Sequence, residues 1–227
     1  VAVSGRKQED AEEAADILSK DQSMVFGIAS DVKNFEDEKN AVSEIIKKFG
    51  RLDYVIANAG LGIFKPVDQL DTEDWKNMMD TNLTGVFHSL KASVEELKKT
   101  EGYFISIASL AGTNFFENGA GYNASKFGVV GFTQAAMIDL RKYNIKVSTI
   151  MPGSVSSNFN GISYFFIENT IEVLGINNNI NSENSYKLYN YLKSLLNNIG
   201  TTNLSCKEIE NDYIITITPN TLPLQIN

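Results

Sequence analysis

Apolar positions in the first 160 residues follow two alternating rhythms. Short runs rich in β-branched and aromatic residues read as strands: VAV at 1–3, SMVFGIASDV at 23–32, LDYVIANAG at 52–60, residues 102–108, and IKVSTIMPG at 145–153. Between them, apolar residues recur at helical spacing. EDAEEAADILSK (9–20) starts acidic, and Phe35 to Phe49 closes on Gly50. Asp71 to Lys99 offers Asp71 or Thr72 as a cap, and Tyr122 to Tyr143 forms a further helix. Strands alternating with helices of this length predict an α/β fold, a parallel sheet with helices on both faces. Right-handed crossovers then bring the C-terminal ends of the strands to one rim, where ligands bind. Ser4-Gly5-Arg6, Asp31, Asn58-Ala59-Gly60, Ser109 and Pro152-Gly153 all fall at or just past predicted strand ends.

After Gly161 the pattern changes. Residues 162–227 hold 13 asparagines and no alanine, against 11 asparagines in the first 161 residues. A helix near Ser185–Asn198 and a β-like run Tyr213–Thr218 are expected there, without a chemical motif. Two regions follow, 1–161 as the catalytic domain and 162–227 as a C-terminal segment of its own.

The formal charge of -8 argues against nucleic acid or an anionic membrane as the main partner. Cys206 is the one cysteine, which suits a reducing compartment, so a cytoplasmic location is expected. His88 is the one histidine, so a zinc-type ligand cluster, and with it a metal, is not expected. No apolar run approaches the ~18 residues a membrane span needs. Val1 lies inside a strand-like run without a preceding methionine, so a segment ahead of it is expected.

The candidate chemistry lies in ISIASLAGTNFFENGAGYNASK (105–126). Ser109 carries a hydroxyl, Tyr122 a phenol thirteen residues on, and Lys126 an ammonium one helical turn later. A phenol titrates near ~10 when unperturbed. A neighbouring cation should lower that value toward the range useful for proton transfer at neutral pH. Ser109 would hydrogen-bond the oxygen of the carbonyl or alcohol on which Tyr122 acts. Spacing alone does not carry this reading: Tyr189 and Lys193 repeat it, but Ile176 stands where the serine would be.

In this setting residues 1 to about 160 resemble the short-chain dehydrogenase/reductase family, closest to its 3-oxoacyl-carrier-protein-reductase-like members. The resemblance rests on Asp31-Val32, Asn58-Ala59-Gly60, Asn82 in TNLTG, the set Ser109, Tyr122 and Lys126, and Pro152-Gly153-Ser154-Val155-Ser156-Ser157. It implies a Rossmann-like fold in which Asp31-Val32 meets the adenine and Asn58-Ala59-Gly60 supports the cofactor. Asn82 would hold a proton-relay water, Tyr122 would be the acid/base, and Lys126 would also hold the nicotinamide ribose. Pro152, Gly153, Val155 and Ser157 would touch the nicotinamide carboxamide. Gly5 occupies the position of the usual ribose-binding carboxylate and Arg6 follows it. The resemblance thus favours NADP(H), whose 2′-phosphate would meet a cation, with NAD(H) as the alternative.

Two departures accompany the match. The family's first strand and its glycine-rich phosphate turn would precede Val1, and their absence should leave two inner strand edges unpaired. The tail does not resemble the family's last segment. A non-catalytic scaffold that binds no dinucleotide is therefore the competing reading. Ser106 is expected to serve packing, and His88 to be an ordinary packed or surface histidine. Trp75, Phe87 and Phe132 are expected in core or interface. By resemblance, the long helices would pair between subunits over Ala124, Gly128 and Gly131, giving a homodimer or homotetramer.

Overall fold

The computed structural model describes residues 1–18, 24–153, 171–176, 201–209 and 212–219. Its elements run β1 (Ala2–Gly5), α1 (Gln8–Leu18), β2 (Phe26–Ala29), α2 (Phe35–Phe49), β3 (Tyr54–Ala57), α3 (Thr72–Met79) and α4 (Gly85–Thr100). They continue with β4 (Tyr103–Ile107), α5 (Ala120–Leu140), β5 (Lys146–Pro152), β6 (Ile171–Ile176), β7 (Thr201–Ile209) and β8 (Asp212–Pro219). A π-helical turn, Asp80–Thr84, joins α3 to α4, where the sequence reads as one continuous helix.

Local chemistry sets the helix ends. Asn34 caps α2 by accepting from the Glu36 amide, three acidic residues occupy its first turn, and Lys47 and Lys48 occupy its last. Gly50 closes the helix in the left-handed region at φ 75°, and its amide donates to Ile46. Of the two candidates for the α3 cap, Asp71 takes the role, accepting from the Asp74 amide at 2.8 Å.

β1 pairs with β2, and β3 with β4 with β5, all in parallel. β6 then adds antiparallel to β5, followed by β8 and β7, so the second sheet runs β3-β4-β5-β6-β8-β7. β8 covers the expected run Tyr213–Thr218, whereas the helix expected near Ser185–Asn198 lies outside the described residues. The strands β6 and β7 have no counterpart in the sequence reading.

The parallel strands are clad on both faces. Phe104, Leu97, Val129, Ile145, Val147 and Met151 are essentially inaccessible and form the centre of the core. On one face Ser106 bonds Thr133 of α5 and Thr149 of β5, the packing role expected for it. On the other, Tyr103 bonds Ser148 at 2.6 Å. β1 and β3 end their ladders facing a slot of about 340 Å³, lined by Ala2, Val3 and Ser4 on one side and Tyr54 to Ala59 on the other. α2 and α4 supply further walls through Val42, Ile45, Val86 and Ser89.

α1 lies directly on β2 at Gly27. A Cβ there would stand 2.3 Å from the backbone of Ala11 and Glu12, which cannot yield as a side-chain tip could. Gly27→Ala should therefore destabilise the fold by at least about 2 kcal/mol, read as a lowered urea midpoint.

Candidate active site

Every rim position that the sequence singles out and the structure describes follows the C-terminal end of a strand: Arg6 after β1, Asp31 after β2, Asn58 after β3, Ser109 after β4 and Gly153 after β5. Val155 and Ser157 lie outside the described residues. Pro152 itself ends β5 and pairs with Ile171. Arg6 and Asp31 are brought close because the Ser30 amide donates to the Gly5 carbonyl at 2.8 Å. Arg6 is exposed and makes no ion pair or hydrogen bond among the described residues. Asp31 turns inward on its own loop, accepting from the Lys33 amide.

The π turn and the start of α4 collect three separate segments. The buried Asn82 amide accepts from the Leu61 amide at 2.8 Å and donates to the Leu61 carbonyl at 2.8 Å and to Ser125 Oγ at 2.9 Å. It thus ties the turn after β3 to helix α5. Three residues further on, Gly85 leaves room for Val32, whose Cγ2 would lie 2.7 Å from a Cβ at that position. His88 Nδ1 stands 2.8 Å from the Val32 carbonyl and must donate to it, since a carbonyl only accepts. The ring also packs against Phe35 and Phe87. His88 is therefore a packed histidine with a positioning bond, a partner that no sequence spacing announced.

Helix α5 carries the phenol and the amine. Tyr122 and Lys126 lie one turn apart, with the amine 5.7 Å from the ring centroid. The Ser109 hydroxyl lies close enough to the Tyr122 phenol to favour its ionised form, so Ser109 and Lys126 both neighbour the Tyr122 ring. Ser109 is held by its place at the head of a single 3-10 turn (Leu110–Gly112), accepting from the Ala111 amide. Asn123, beside Tyr122, donates to the carbonyls of Ala111 and Asn114 and so anchors the loop after Ser109. Ser125 links Asn82 to the Tyr122 carbonyl. None of these supports belongs to the sequence-selected set.

The electrostatics differ from the sequence expectation in one respect. Burial raises the Tyr122 pKa, and the neighbouring Ser109 hydroxyl opposes this. Lys126 does not lower it: the amine sits beside the ring and donates to the Ile107 carbonyl at 2.9 Å. Burial instead lowers Lys126 itself to about 8. Gly60 completes the neighbourhood, since a Cβ there would come within 3.5 Å of the Lys126 amine and 3.4 Å of Asn82 Oδ1.

A family model described as short chain dehydrogenase matches residues 1–163. The chain belongs to that family. Among its relatives, the trans-4-hydroxycyclohexanecarboxylate dehydrogenase of Sinomonas cyclohexanicum is 39% identical over 127 residues, covering 56% of this chain and 49% of the relative. An alcohol dehydrogenase from the archaeon Thermococcus sibiricus, solved with 5-hydroxy-NADP, superimposes with a TM-score of 0.67 at 29% identity, covering 73% of this chain and 70% of that one. A 3-ketoacyl-(acyl-carrier-protein) reductase from Brucella melitensis, solved with NADH, gives a TM-score of 0.64 at 25% identity, covering 67% and 64%. The chain spans about half the length of the curated relatives it matches first. No described helix of the chain is long and apolar enough to cross a membrane.

The lowered Lys126 pKa has a measurable sign. The unfolded lysine keeps its proton up to its ordinary value near 10.5, whereas the folded one sheds it near 8. Between those values the unfolded state binds more protons, so this group makes stability rise with pH across that window. Below it, the folded protein bears the penalty of a buried charge. Lys126→Met should therefore be stabilised relative to the parent more at pH 7 than at pH 10, measured as the difference in Tm between the two proteins at each pH.

Proposed function

We propose that the chain carries the catalytic part of an NADP(H)-dependent oxidoreductase that interconverts a carbonyl and an alcohol. The observation that supports this most is the buried Tyr122 phenol with the buried Lys126 amine 5.7 Å from its ring centroid and the Ser109 hydroxyl beside it. In this reading Tyr122 is the acid/base. Its raised pKa keeps the phenol protonated at neutral pH, suited to donating a proton to a carbonyl oxygen that Ser109 holds. A bound nicotinamide would supply or accept the hydride.

Lys126 spends one of its three protons on Ile107 and has two for the hydroxyls of a ribose lying beside Gly60. The amide protons of Asn82 are spent on Leu61 and Ser125, so Asn82 positions the proton path rather than donating to it. Asp31, Val32, Asn58, Ala59, Pro152 and Gly153 remain candidate cofactor contacts, and Val155 and Ser157 join them from sequence. The exposed, unengaged Arg6 favours a 2′-phosphate and hence NADP(H) over NAD(H). We also propose residues 1–161 as the catalytic domain, a cytoplasmic location, and assembly of two or four copies over α4 and α5. In support of the last, Phe87 and Phe132 are partly exposed on that face, and Gly131 has open space before it.

A scaffold that binds no dinucleotide is the competing reading. NADPH binding followed by fluorescence separates the two. Tyr122→Phe should lower kcat on a panel of ketones by about 10²–10⁴-fold while leaving that fluorescence titration unchanged. Arg6→Ala should raise the KM for NADPH by about tenfold with little change for NADH, as expected for a lost charge-assisted contact.

A further inference from the structure

The mouth of the site is built from aromatic edges. Phe64, in the loop after β3, stands with its ring 5.4 Å from that of Tyr122, nearly perpendicular at 73°. Phe116, in the loop after β4, lies 6.5 Å from Tyr122 and 5.7 Å from Phe64. The three rings form a closed triangle, yet Phe64 remains 39% and Phe116 48% exposed while Tyr122 is buried. Neither position is left to loop drift. Ile63, next to Phe64, packs in the cluster of Met78, Ala111 and Tyr122 and donates its amide to Met78 Sδ. Phe116 rests against Gly119, where a Cβ would meet its ring at 2.8 Å. Asn123 holds the same loop by two carbonyls.

The charges flanking Phe64 and Phe116 are engaged or of the wrong sign for an anion, and the cation at the Tyr122 corner, the Lys126 amine 5.7 Å from the ring centroid, is buried and donates to the Ile107 carbonyl. Lys65, adjacent to Phe64, is paired with Asp71 and Asp74. Glu117, adjacent to Phe116, is exposed and acidic. Among the described residues, the ring surfaces beside the phenol are thus apolar, and the sequence neighbours of Phe64 and Phe116 offer no unpaired cation.

We infer that Phe64 and Phe116 form an aromatic clamp that selects carbonyl compounds whose reacting carbon belongs to, or is attached to, an uncharged aryl or cycloalkyl ring. This rests on the reading of Tyr122 as acid/base and adds the substrate class. The clamp grips a ring edge-to-face and by burial of apolar area, interactions that a small hydroxylated carbonyl cannot make.

The test compares acetophenone and cyclohexanone with dihydroxyacetone, in the parent and in Phe64→Ala, Phe116→Ala and Phe64→Leu. Two readouts are taken: kcat/KM with NADPH, and direct ketone binding by saturation-transfer NMR. The clamp requires kcat/KM for the ring ketones to fall about 10- to 100-fold in the alanine variants, with less than about threefold change for dihydroxyacetone. Ring-ketone binding must weaken in parallel, and Phe64→Leu, which keeps an apolar side chain, must recover part of both. Phe115→Ala serves as control, since Phe115 is 84% exposed and stacks on Phe127 away from the triangle. Equal losses on all three substrates, or a parent that binds and reduces dihydroxyacetone better than the ring ketones, overturns the clamp and leaves the oxidoreductase reading standing. Clamp-dependent binding of ring ketones without turnover of any carbonyl supports the clamp and removes the oxidoreductase reading.

Discussion

One buried amide holds the rim together. Asn82 bonds both backbone groups of Leu61 and the hydroxyl of Ser125, and through Ser125 it reaches the carbonyl of Tyr122. A buried side-chain amide left unpaired is expensive, so each of these bonds is enforced by the same desolvation that makes its loss costly. Asn82 lies in the π turn, whose wider winding separates α3 from α4 at the point where both the turn after β3 and helix α5 must be met. The phenol, the amine and Gly60 inherit their mutual placement from that contact.

The second constraint is the reach of α4 in the other direction. Gly85 and His88 fix Val32, and Ser89 and Ser30 share the carboxylate of Glu38. The turn after β2 is thereby locked to the helix that also locks the turn after β3. Distant parts of the rim are thus registered by one helix start, which reaches both turns.

Much of this was legible in the chain. Strand ends, the Asn34 and Gly50 termini of α2, and the Ser109–Tyr122–Lys126 set depend on nearest neighbours and short spacings, which letters display directly. What was not legible is long-range or environmental. His88 meets Val32 across 56 positions, and Phe64 meets Tyr122 from another loop. The direction of the Tyr122 shift required knowing that its ring is buried and that the Lys126 proton points to Ile107. The asparagine-rich stretch after Gly161 blurred periodicity, so β8 could be read while β6 and β7 could not. The π turn was hidden because an extra residue per turn leaves the apolar spacing on either side intact.

The facing borders of β1 and β3 have a colloidal consequence. Among the described residues neither has a ladder partner on that side, and Tyr54 and Ile56 are 68% and 47% exposed. Such borders template any extended segment that meets them, a neighbouring molecule's included. A strand that fills the slot therefore does more than complete a sheet: it removes the borders through which strand addition between molecules would compete with solubility.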